Sequence, residues 1–471
     1  MKDFTTGSIP KLMISFLVPL LLSNMLQAVY MLIDAIWAGR LIGSSGVAIV
    51  ATGMPVVFLL SSFVAGIIIG ASILAGHAFG SKNREVLSDI VSTSVIATAA
   101  ISLFISLLGV LFCAPLLRLI NTPAQLFHGA RIFLSLIIGS MVLGALGQWF
   151  AAMMNAAGDS RTPFKILVVS LAINAVLAPV LITGAGLFRP LGVAGSALST
   201  ITANVIGGLI CLYIWRNHHL SEIAPFRFQI HWDTLKKILG VGFPLALQML
   251  IVSSGFLFIL ALANKFGADV TAAFGIGSRV DQLAFLATFA VGAAISAMTA
   301  QNIGAGKYER IPEITRWGII LSLVLAVFFC GAVMIFPDTV TSIFTKDTAI
   351  LPLARHYFRI VGFSYIALAV MFAFQAVLRG AGDTMPSFFI IASTMIFLRV
   401  PLCYYLSHYT FLKEMGLWIG ITASTIAGTI AFYFYYASGK WKERGTVVGR
   451  PGGIEIPAEL RPEAARLEES I

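Results

Sequence analysis

The sequence predicts an all-α polytopic membrane protein whose twelve transmembrane helices form two pseudo-symmetric six-helix bundles. Three observations predict this fold class. The 471 residues are 58% hydrophobic and only 11% charged, whereas soluble domains carry about 25% charged residues. Apolar runs long enough to cross a bilayer recur along the chain, and its two halves resemble each other. A transmembrane β-barrel is not expected, because its strands would show alternating segments of about ten residues.

Short polar breaks separate twelve apolar runs, and about 20 such residues span a bilayer as one helix. The predicted limits are 12–38, 45–76, 86–115, 125–153, 162–184, 190–215, 237–263, 270–299, 312–336, 351–378, 385–408 and 415–437. The longest internal break divides these spans six and six. We therefore predict an N-lobe (1–215), a cytoplasmic linker (216–236), a C-lobe (237–437) and a cytoplasmic tail (438–471).

The basic residues indicate the orientation in the membrane. The net charge is +10, and Lys and Arg are more frequent in the breaks on the side of the termini than in the opposite breaks. By the positive-inside rule that side is cytoplasmic, so we expect a multi-pass protein of the plasma (inner) membrane with both termini in the cytoplasm. Orientation in the lipid bilayer then explains the positive net charge, so a nucleic-acid partner is not expected. The cysteines and histidines show no ligand spacing, so neither a metal nor a cofactor is expected.

An internal repeat relates the two halves. The break after span 4 reads NAAGDSRTPF, and the break after span 10 reads RGAGDTMPSF. Asp159 and Asp383 in these breaks differ by 224 positions. Six spans per half keep the same orientation, so the repeat is parallel, as in transporters that rock two bundles about a central cavity. The Gly-Asp pairs have two open interpretations, which can coexist: they end one helix and cap the next, or they gate the cytoplasmic side.

Asp34 is the most unusual residue of the first span. Of the acidic residues, only Asp34 and Asp281 lie well inside predicted spans. An ionisable group at such a place is costly and indicates a functional site. The competing interpretation is that Asp34 lies at the membrane surface, near the end of its span, and pairs with Arg40.

Span 1 carries a polar face that ends at this carboxylate. Ser23, Gln27, Tyr30 and Asp34 follow one another at intervals of three or four residues, which places them on one side of a helix. Lipid would not tolerate such a face, so it contacts protein or a water-filled cavity. Pro19 lies one turn earlier, where a proline removes a backbone hydrogen bond and supplies a hinge.

Other spans also carry polar side chains. Asn174 in span 5 is the most telling, because a buried amide needs several partners. Ser196, Thr200 and Asn204 share a face of span 6, although Ser and Thr in membrane helices often bond only their own backbone. The second half offers a further set: Gln248, Asp281, Gln282, Gln375 and Arg399. For Asp281, a transport role and pairing with a cation of another helix remain open.

These residues together resemble the multidrug and toxic compound extrusion (MATE) family of the MOP superfamily, over nearly the whole chain. The motifs are PLLLSNMLQAVYMLIDAIWAGRLIG in span 1, GHAFGSKN and QNIGAGKYER after spans 2 and 8, and AGDSRTP and RGAGDTMP after spans 4 and 10. The position of the span-1 acid is most similar to the DinF-like branch. The resemblance implies two six-helix lobes and export driven by inward flow of protons or sodium ions.

The resemblance also implies roles for single residues. The branch has an acid in span 1 inside an N-lobe cavity, which corresponds to Asp34. Its other span-1, span-5 and span-6 positions correspond to Pro19, Gln27, Tyr30, Asn174 and Thr200. One position departs from the pattern. The branch commonly has a second acid in span 5, where this chain has Ala178 before Pro179. A two-carboxylate cation site is therefore not expected, and Asp34 is predicted to be the only carboxylate of the N-lobe cavity.

We thus predict a monomeric secondary antiporter that exports cationic or amphipathic small molecules, such as drugs and toxins, in exchange for H⁺ or Na⁺ by alternating access. Asp34 would couple the ion, Pro19 would be the hinge, and Asp281, Gln248 and Gln375 are secondary candidates. The alternative is a flippase for lipid-linked precursors or polysaccharide, which should line its cavity with several Arg or Lys. An enzyme is not expected, because no nucleophile–base pair, paired carboxylates or metal cluster occurs.

Overall fold

The structure, a computed structural model, describes residues 2–184, 189–217 and 225–445. This part of the chain folds into helices joined by short turns, and it contains no strand. The predicted all-α membrane architecture is confirmed. Residues 446–471 of the predicted tail and residues 218–224 of the predicted linker lie outside the described residues.

The first half contains eight α-helices. They are α1 (Ile9–Trp37), α2 (Ser44–Gly80), α3 (Arg84–Leu111), α4 (Cys113–Leu119), α5 (Ala124–Gly139), α6 (Met141–Ala156), α7 (Arg161–Thr183) and α8 (Val193–Asn217). A π-helical turn, Ala38–Ile42, extends α1. The predicted hinge does not interrupt α1, which continues through Pro19 as a single helix.

The second half repeats this order. Its helices are α9 (Trp232–Asn264), α10 (Ala268–Gly304), α11 (Ile311–Ile335), α12 (Pro337–Ser342), α13 (Ile350–Val361), α14 (Ser364–Gly380), α15 (Thr384–Ala392), α16 (Val400–His408) and α17 (Glu414–Ala437). A π-helical segment, Ser393–Arg399, joins α15 to α16, and a short helix α18, Trp441–Arg444, follows α17.

The described residues contain ten helices long and apolar enough to cross a membrane, and two bent helix pairs raise the number to twelve spans. The twelve predicted spans therefore agree with the structure, but spans 4 and 10 are each made of two helices. Helices α5 and α6 meet at 43°, and α13 and α14 meet at 41°. At the first bend, the Ser140 hydroxyl donates to the Ile137 carbonyl at 2.9 Å. Such local hydrogen bonds compete with the regular helical pattern.

The helix bounds confirm the internal repeat. Helix α2 begins at residue 44 and ends at 80, and α10 begins at 268 and ends at 304. Helices α4 and α12 begin at 113 and 337, respectively. Each pair keeps the offset of 224 that the Gly-Asp loops predict. The two halves are thus repeats in the length and order of their helices as well as in their loop sequences.

The chain divides into two compact units within the described residues. Of these residues, the first unit comprises 2–3, 18–184, 189–217 and 225–246, and the second unit comprises 4–17 and 247–445. The division therefore falls inside α1 and α9, and the predicted lobes (1–215 and 237–437) with their linker 216–236 stay a prediction. Each of these two helices starts in one unit and ends in the other, and each carries a proline close to the change, Pro19 and Pro244.

Glycine contacts explain why the start of α9 belongs to the first unit. A Cβ on Gly242 of α9 would lie 2.7 Å from the carbonyl oxygen of Gly66 in α2. A Cβ on Gly70, one turn further along α2, would lie 2.8 Å from the Gly242 nitrogen. Membrane helices that present small residues approach closely and gain packing contacts. The part of α9 that precedes Ala246 therefore packs against α2, although it directly follows the polar linker.

Hydrogen bonds to its backbone attach the N-terminal segment to the second unit. The Phe4 amide donates to Gln301 Oε1 at 3.0 Å, and Asn302 Nδ2 donates to the Phe4 carbonyl at 3.0 Å. Lys307 Nζ donates to the Thr5 carbonyl at 2.7 Å. The Phe4 ring is completely buried and packs edge-on against Phe16, with 5.1 Å between centroids. No hydropathy pattern indicates such contacts, because they depend on side chains about 300 residues away.

The repeated Gly-Asp loops differ in what their aspartates bind. Gly158 and Gly382 both have positive φ, 79° and 76°, which favours glycine. Asp159 accepts hydrogen bonds from the Arg161 amide (3.0 Å) and the Thr162 amide (3.1 Å) at the start of α7, so it fulfils the capping interpretation. Asp383 makes no such cap and instead accepts a bond from a tyrosine hydroxyl of α17 at 2.7 Å.

These contacts shift the pKa values of the two aspartates in opposite directions. Burial alone would raise the pKa of Asp159, but hydrogen bonds from Thr162 and the backbone hold that pKa below its usual value. Burial raises the pKa of Asp383, and the bond from Tyr435 opposes this only in part. The gating interpretation of the loops stays a prediction.

Candidate functional site

Asp34 lies near the end of α1, where the side chains of α7 and α8 supply polar partners. The Asp34 side chain is partly buried. On α7, Asn174 is completely buried, and on α8 the neighbouring Ser199 is completely buried as well. A carboxylate, an amide and hydroxyls in otherwise apolar helices are expected to face one another rather than lipid.

Asn174 joins this cluster together. The amide nitrogen must face Asp34, because in the opposite orientation the amide oxygen would face the carboxylate. Asn174 Nδ2 then donates to Asp34 Oδ1 at 3.0 Å, and Asn174 Oδ1 accepts from the Tyr30 hydroxyl at 3.1 Å and from the Thr200 hydroxyl at 3.3 Å. The Tyr30 and Thr200 hydroxyls are 3.2 Å apart. We call these four residues, Asp34, Tyr30, Asn174 and Thr200, the Asp34 cluster.

The structure therefore brings together the four residues that the sequence and the resemblance single out in spans 1, 5 and 6. The remaining members of the polar face lie elsewhere. Gln27 is exposed, and no hydrogen bond joins it to the described residues. The Ser23 hydroxyl donates to the carbonyl of Pro19 at 2.9 Å. A place for Gln27 in the cavity stays a prediction.

No second charge accompanies Asp34 within the described part of the chain. Arg40 is exposed, and no ion pair joins it to Asp34 in residues 2–184, 189–217 and 225–445. The interfacial pairing considered from the sequence is therefore not observed. Ala178, at the position of the missing span-5 acid, is buried with 1% exposure. The carboxylate thus relies on one amide donor.

A cavity of about 110 Å³ adjoins the Asp34 cluster inside the first unit. Its polar lining consists of Thr200, which also belongs to the cluster, with Ser61, Ser140, Gln148 and Asn204. Five apolar residues and a glycine complete the lining: Val57, Val64, Ile137, Met141, Ala145 and Gly144. None of these residues is charged. Apolar walls with a few hydrogen-bonding groups are typical of sites for small molecules.

Sequence reasoning did not single out Gln148 or Ser199. Gln148 is an exposed amide of α6, so the expectation that a buried amide needs partners, applied to Asn174, does not select it. Ser199 adjoins Thr200 in sequence, and its hydroxyl lies 3.3 Å from the Asn174 amide. The four-residue spacing of span 6 selects the face that carries Ser196 and Thr200, and Ser199 lies outside this pattern.

The second unit holds the other intramembrane acid. Asp281 on α10 accepts a hydrogen bond from the Tyr357 hydroxyl and one of 2.6 Å from the Tyr365 hydroxyl. No cation forms an ion pair with Asp281 within the described residues. Arg399 donates instead to the Ser424 and Thr425 hydroxyls at 2.7 and 2.9 Å. The direct pairing considered from the sequence is therefore not observed, and a transport role stays a prediction.

The remaining candidates of the second unit are buried glutamines. Gln248 and Gln375 each retain 7% exposure. No described hydrogen bond connects either of them to Asp281. Their roles therefore stay predictions, and the Asp34 cluster is the better-connected candidate site.

The two acids differ in what they can do chemically. Two hydroxyl donors hold Asp281, so both carboxylate oxygens have partners. Asp34 has one amide donor, Asn174, whose amide oxygen in turn accepts from the Tyr30 and Thr200 hydroxyls. Carboxylate, amide and hydroxyl oxygens are ligands for hard cations, and a carboxylate in a membrane helix is suited to proton relay.

Comparisons with known proteins agree on one family. A profile described as MatE matches residues 19–180 and 244–405, which are the two repeats. The probable multidrug resistance protein YoeA of Bacillus subtilis (strain 168) is 32% identical over 433 residues, 91% of this chain and 93% of that protein. The probable multidrug resistance protein NorM of Thermotoga maritima is 26% identical over 441 residues, 93% of this chain and 94% of that protein.

A solved structure supports the same fold. The crystal structure of MATE in the bent conformation superposes with a TM-score of 0.86, covering 92% of this chain and 96% of that chain at 20% identity. At this identity the likeness shows the fold alone.

Proposed function

Because the chain belongs to the MatE family, we propose that it is a secondary antiporter that exports cationic or amphipathic small molecules in exchange for H⁺ or Na⁺. The observation that carries this proposal is the partly buried carboxylate of Asp34, bonded to Asn174 beside an uncharged cavity. The names of the relatives, multidrug resistance proteins, support drug-like substrates.

Asp34 is the coupling group in this proposal. An incoming proton or sodium ion neutralises the carboxylate, and this neutralisation releases the exported molecule. The contact between Asp34 and Asn174 ties α1 to α7, so a change of charge at Asp34 alters the position of α1. Helix α1 enters the first unit at Val18, next to Pro19. The hinge at Pro19 then passes the change to the part of α1 that belongs to the second unit.

The choice between the two ions depends on Asn174. A sodium ion at Asp34 requires oxygen ligands, so the Asn174 oxygen would have to replace the nitrogen that now faces the carboxylate. A proton on Asp34 converts one carboxylate oxygen into a donor, which the surrounding hydroxyl oxygens can accept. Either ion therefore has partners within the Asp34 cluster.

The cavity favours a substrate that carries no strong negative charge. Apolar walls and neutral polar groups line it, without Arg or Lys. A flippase for lipid-linked precursors or polysaccharide would need basic residues for anionic headgroups, so it remains the second candidate, without an observation that favours it. In this proposal the antiporter is a monomer in the plasma (inner) membrane, and both of its termini lie in the cytoplasm.

The experiment that tests this function is export of a fluorescent lipophilic cation from proteoliposomes. An Asp34→Asn variant should lose coupled export because it cannot change its charge, although it keeps the shape of the side chain. The matched control is Asp89→Asn on α3, whose carboxylate pairs with His231 at 3.3 Å, away from the Asp34 cluster. We expect Asp89→Asn to export like the wild type. Export by Asp34→Asn at the wild-type rate would overturn the proposal.

A further inference from the structure

The described end of the predicted linker is fixed to the first turns of α3. Residues 225–231, which we call the docked linker, form neither helix nor strand. Three hydrogen bonds join their backbone to side-chain hydroxyls of α3: the Ser88 hydroxyl donates to the Pro225 carbonyl at 2.7 Å, the Arg227 amide donates to Ser92 Oγ at 2.8 Å, and the His231 amide donates to Thr93 Oγ1 at 3.1 Å. His231 Nε2 also lies 3.3 Å from Asp89 Oδ1. The docked linker thus has a defined place on the first unit.

The hydroxyls that hold the docked linker are buried in an apolar helix. Ser and Thr in membrane helices often bond only to their own backbone, as Ser102 of α3 does by donating to the Thr98 carbonyl at 2.6 Å. Ser92 and Thr93 are also buried, yet each accepts a backbone amide of the docked linker. These hydroxyls of α3 therefore position the linker.

Large apolar side chains occupy every second position of the docked linker and the first position of α9. Phe226, Phe228, Ile230 and Trp232 retain 50%, 85%, 42% and 68% exposure, respectively, and we call these four residues the apolar row. The Phe226 and Phe228 rings contact each other edge to face, with 6.3 Å between centroids. An exposed group of large apolar side chains is typical of a protein–protein or membrane interaction site.

The internal repeat gives a buried counterpart for one member of the apolar row. The offset of 224 relates Phe228 to Phe4. Phe4 is completely buried and packs against Phe16, whereas Phe228 is the most exposed member of the row. The same repeat position therefore contacts the protein interior in one half and is open to the surroundings in the other.

The place of the docked linker along α3 puts the apolar row at a membrane surface. Helix α3 is long and apolar enough to span a membrane, and it begins at the exposed, charged Arg84. With a rise of about 1.5 Å per residue, Ser88 and Thr93 lie about 6 and about 14 Å along the helix from Arg84. The headgroup region is about 5–8 Å deep on each side of a bilayer, so the linker lies where water gives way to lipid. Aromatic side chains are enriched at this level.

Basic side chains accompany the apolar row. Within residues 225–237, the exposed charged residues are the bases Arg227, Lys236 and Lys237 and the acid Asp233. Lys236 lies four positions after Trp232, on the same face of α9. An anionic membrane surface attracts each such basic residue by about fivefold in affinity. Aromatic and basic residues beside a membrane-spanning helix together favour a lipid surface over a soluble protein.

We propose that the apolar row inserts into the headgroup region of the membrane leaflet on the side predicted to be cytoplasmic, and that Arg227, Lys236 and Lys237 bind the headgroups of anionic phospholipids there. The docked linker anchors the first unit to the membrane surface, and the hydroxyls of Ser88, Ser92 and Thr93 are its positioning groups. This role is independent of the ion that Asp34 couples.

Spin labels on single cysteines test the location of the apolar row in the full-length protein in lipid nanodiscs. The four native cysteines are buried, so the introduced cysteine is the reactive one. The measurement is the ratio of collisions with oxygen, which partitions into lipid, to collisions with a water-soluble nickel complex. Leu107→Cys on the exposed apolar face of α3 is the reference in lipid, and Glu309→Cys in the turn after α10 is the reference in water.

We expect the ratio for Phe228→Cys to lie well above that for Glu309→Cys and to approach that for Leu107→Cys. Phe228 is exposed, so its replacement leaves the packing of the protein intact. A ratio at position 228 equal to that at position 309 would overturn the proposal. Dipolar broadening between two labels at position 228 would show that a second copy covers the row, and would overturn it as well.

The same label tests the preference for anionic headgroups. Adding phosphatidylglycerol to phosphatidylcholine nanodiscs should raise the collision ratio at position 228. The double variant Lys236→Gln/Lys237→Gln removes two charges, about 25-fold in affinity, and should lose this response. The matched control Lys165→Gln/Arg316→Gln removes two exposed basic residues near the starts of α7 and α11 and should keep it. Equal responses of the two double variants would contradict headgroup binding beside the docked linker.

The positioning role of α3 has its own control. Ser92→Ala removes the acceptor of the Arg227 amide, so the label at position 228 should become more mobile. Ser102→Ala removes an equally buried hydroxyl whose described bonds stay within α3, and the mobility of the label should not change. Equal spectral line shapes in these two backgrounds would contradict the attachment of the linker to α3.

Discussion

Replacement of Asn174 by alanine is the sharpest test of the Asp34 cluster. The change removes the donor to Asp34 Oδ1 at 3.0 Å and the acceptor of the Tyr30 hydroxyl at 3.1 Å. The site is completely buried. A hydrogen bond to a charged group contributes about 1.5–3 kcal/mol, and a neutral bond about 1 kcal/mol. We therefore expect the free energy of unfolding to fall by roughly 2–4 kcal/mol from the lost hydrogen bonds.

A double-mutant cycle isolates the part of this loss that belongs to Asp34. In an Asp34→Asn background the donor no longer meets a carboxylate, so Asn174→Ala should cost about 1–3 kcal/mol less than in the wild type. The control is Asn204→Ala on α8, which lines the cavity and has no described bond to Asp34. Its effect should add to that of Asp34→Asn within about 0.5 kcal/mol.

The assay is equilibrium unfolding in mixed detergent micelles, followed by tryptophan fluorescence, for the wild type, the single variants and the two double variants. Coupling between positions 34 and 174 that is no larger than coupling between positions 34 and 204 would refute the hydrogen bond. The orientation of the Asn174 amide would then be wrong, and Asp34 would need another partner.

Three further predictions concern helix packing, the second acid and pH. Gly242→Ala forces a methyl against a backbone carbonyl of α2 and should cost about 1–3 kcal/mol in unfolding free energy. Gly240 lies two residues earlier in α9, and a Cβ there would meet no atom within 4 Å. Gly240→Ala should therefore raise the unfolding free energy by up to about 1 kcal/mol. Tyr365→Phe removes a 2.6 Å bond to the acid of α10 and should cost about 1.5–3 kcal/mol in the same assay. Asp159→Asn and Asp383→Asn should change the pH dependence of the Tm in opposite directions.

The signs of the pH effects follow from the folded-state pKa values. The pKa of Asp159 is lowered in the folded state, so its contribution to stability is present above the unfolded pKa and is lost as the pH falls through the folded pKa. The pKa of Asp383 is raised, so the folded state loses stability as the pH rises from the unfolded pKa through the raised value. Each Asn variant should remove only its own effect, and equal pH profiles for the two variants would contradict these assignments.

Equal unfolding free energies of Gly242→Ala and Gly240→Ala would contradict the close approach of α9 to α2. A Tyr365→Phe variant as stable as the wild type would show that the hydroxyl does not stabilise Asp281. These two outcomes concern the fold and leave the role of Asp34 untouched.

The apolar runs and the internal repeat predict much of this fold, because a helix that crosses lipid must be apolar over most of its length. The spans and the offset of 224 follow from apolar runs and from the two Gly-Asp loops, and the helix bounds reproduce both. The bends inside spans 4 and 10 do not follow, because no proline occurs where α5 meets α6 and a serine hydroxyl supplies the local bond. The assignment of the start of α9 to the first unit depends on glycine contacts with Gly66 that hydropathy does not express.

The candidate site was predictable to the extent that polar groups in lipid must find one another. Helical spacing selects Tyr30 and Asp34, and the demand of a buried amide selects Asn174. Spacing alone also selects Gln27, which the structure leaves exposed. A helix face broad enough for four residues extends beyond the contact area of α7 and α8, so a pattern on one helix cannot decide which residues reach a partner.

The central claim, that Asp34 couples ion entry to export, is tested most directly in sealed vesicles with a proton gradient and a sodium gradient imposed separately. For the wild type, one of the two gradients should accelerate uphill transport of a lipophilic cation. For Asp34→Asn, neither gradient should do so, while substrate exchange at equal ion concentrations continues. Uphill transport by Asp34→Asn under the same gradient that drives the wild type would contradict the claim.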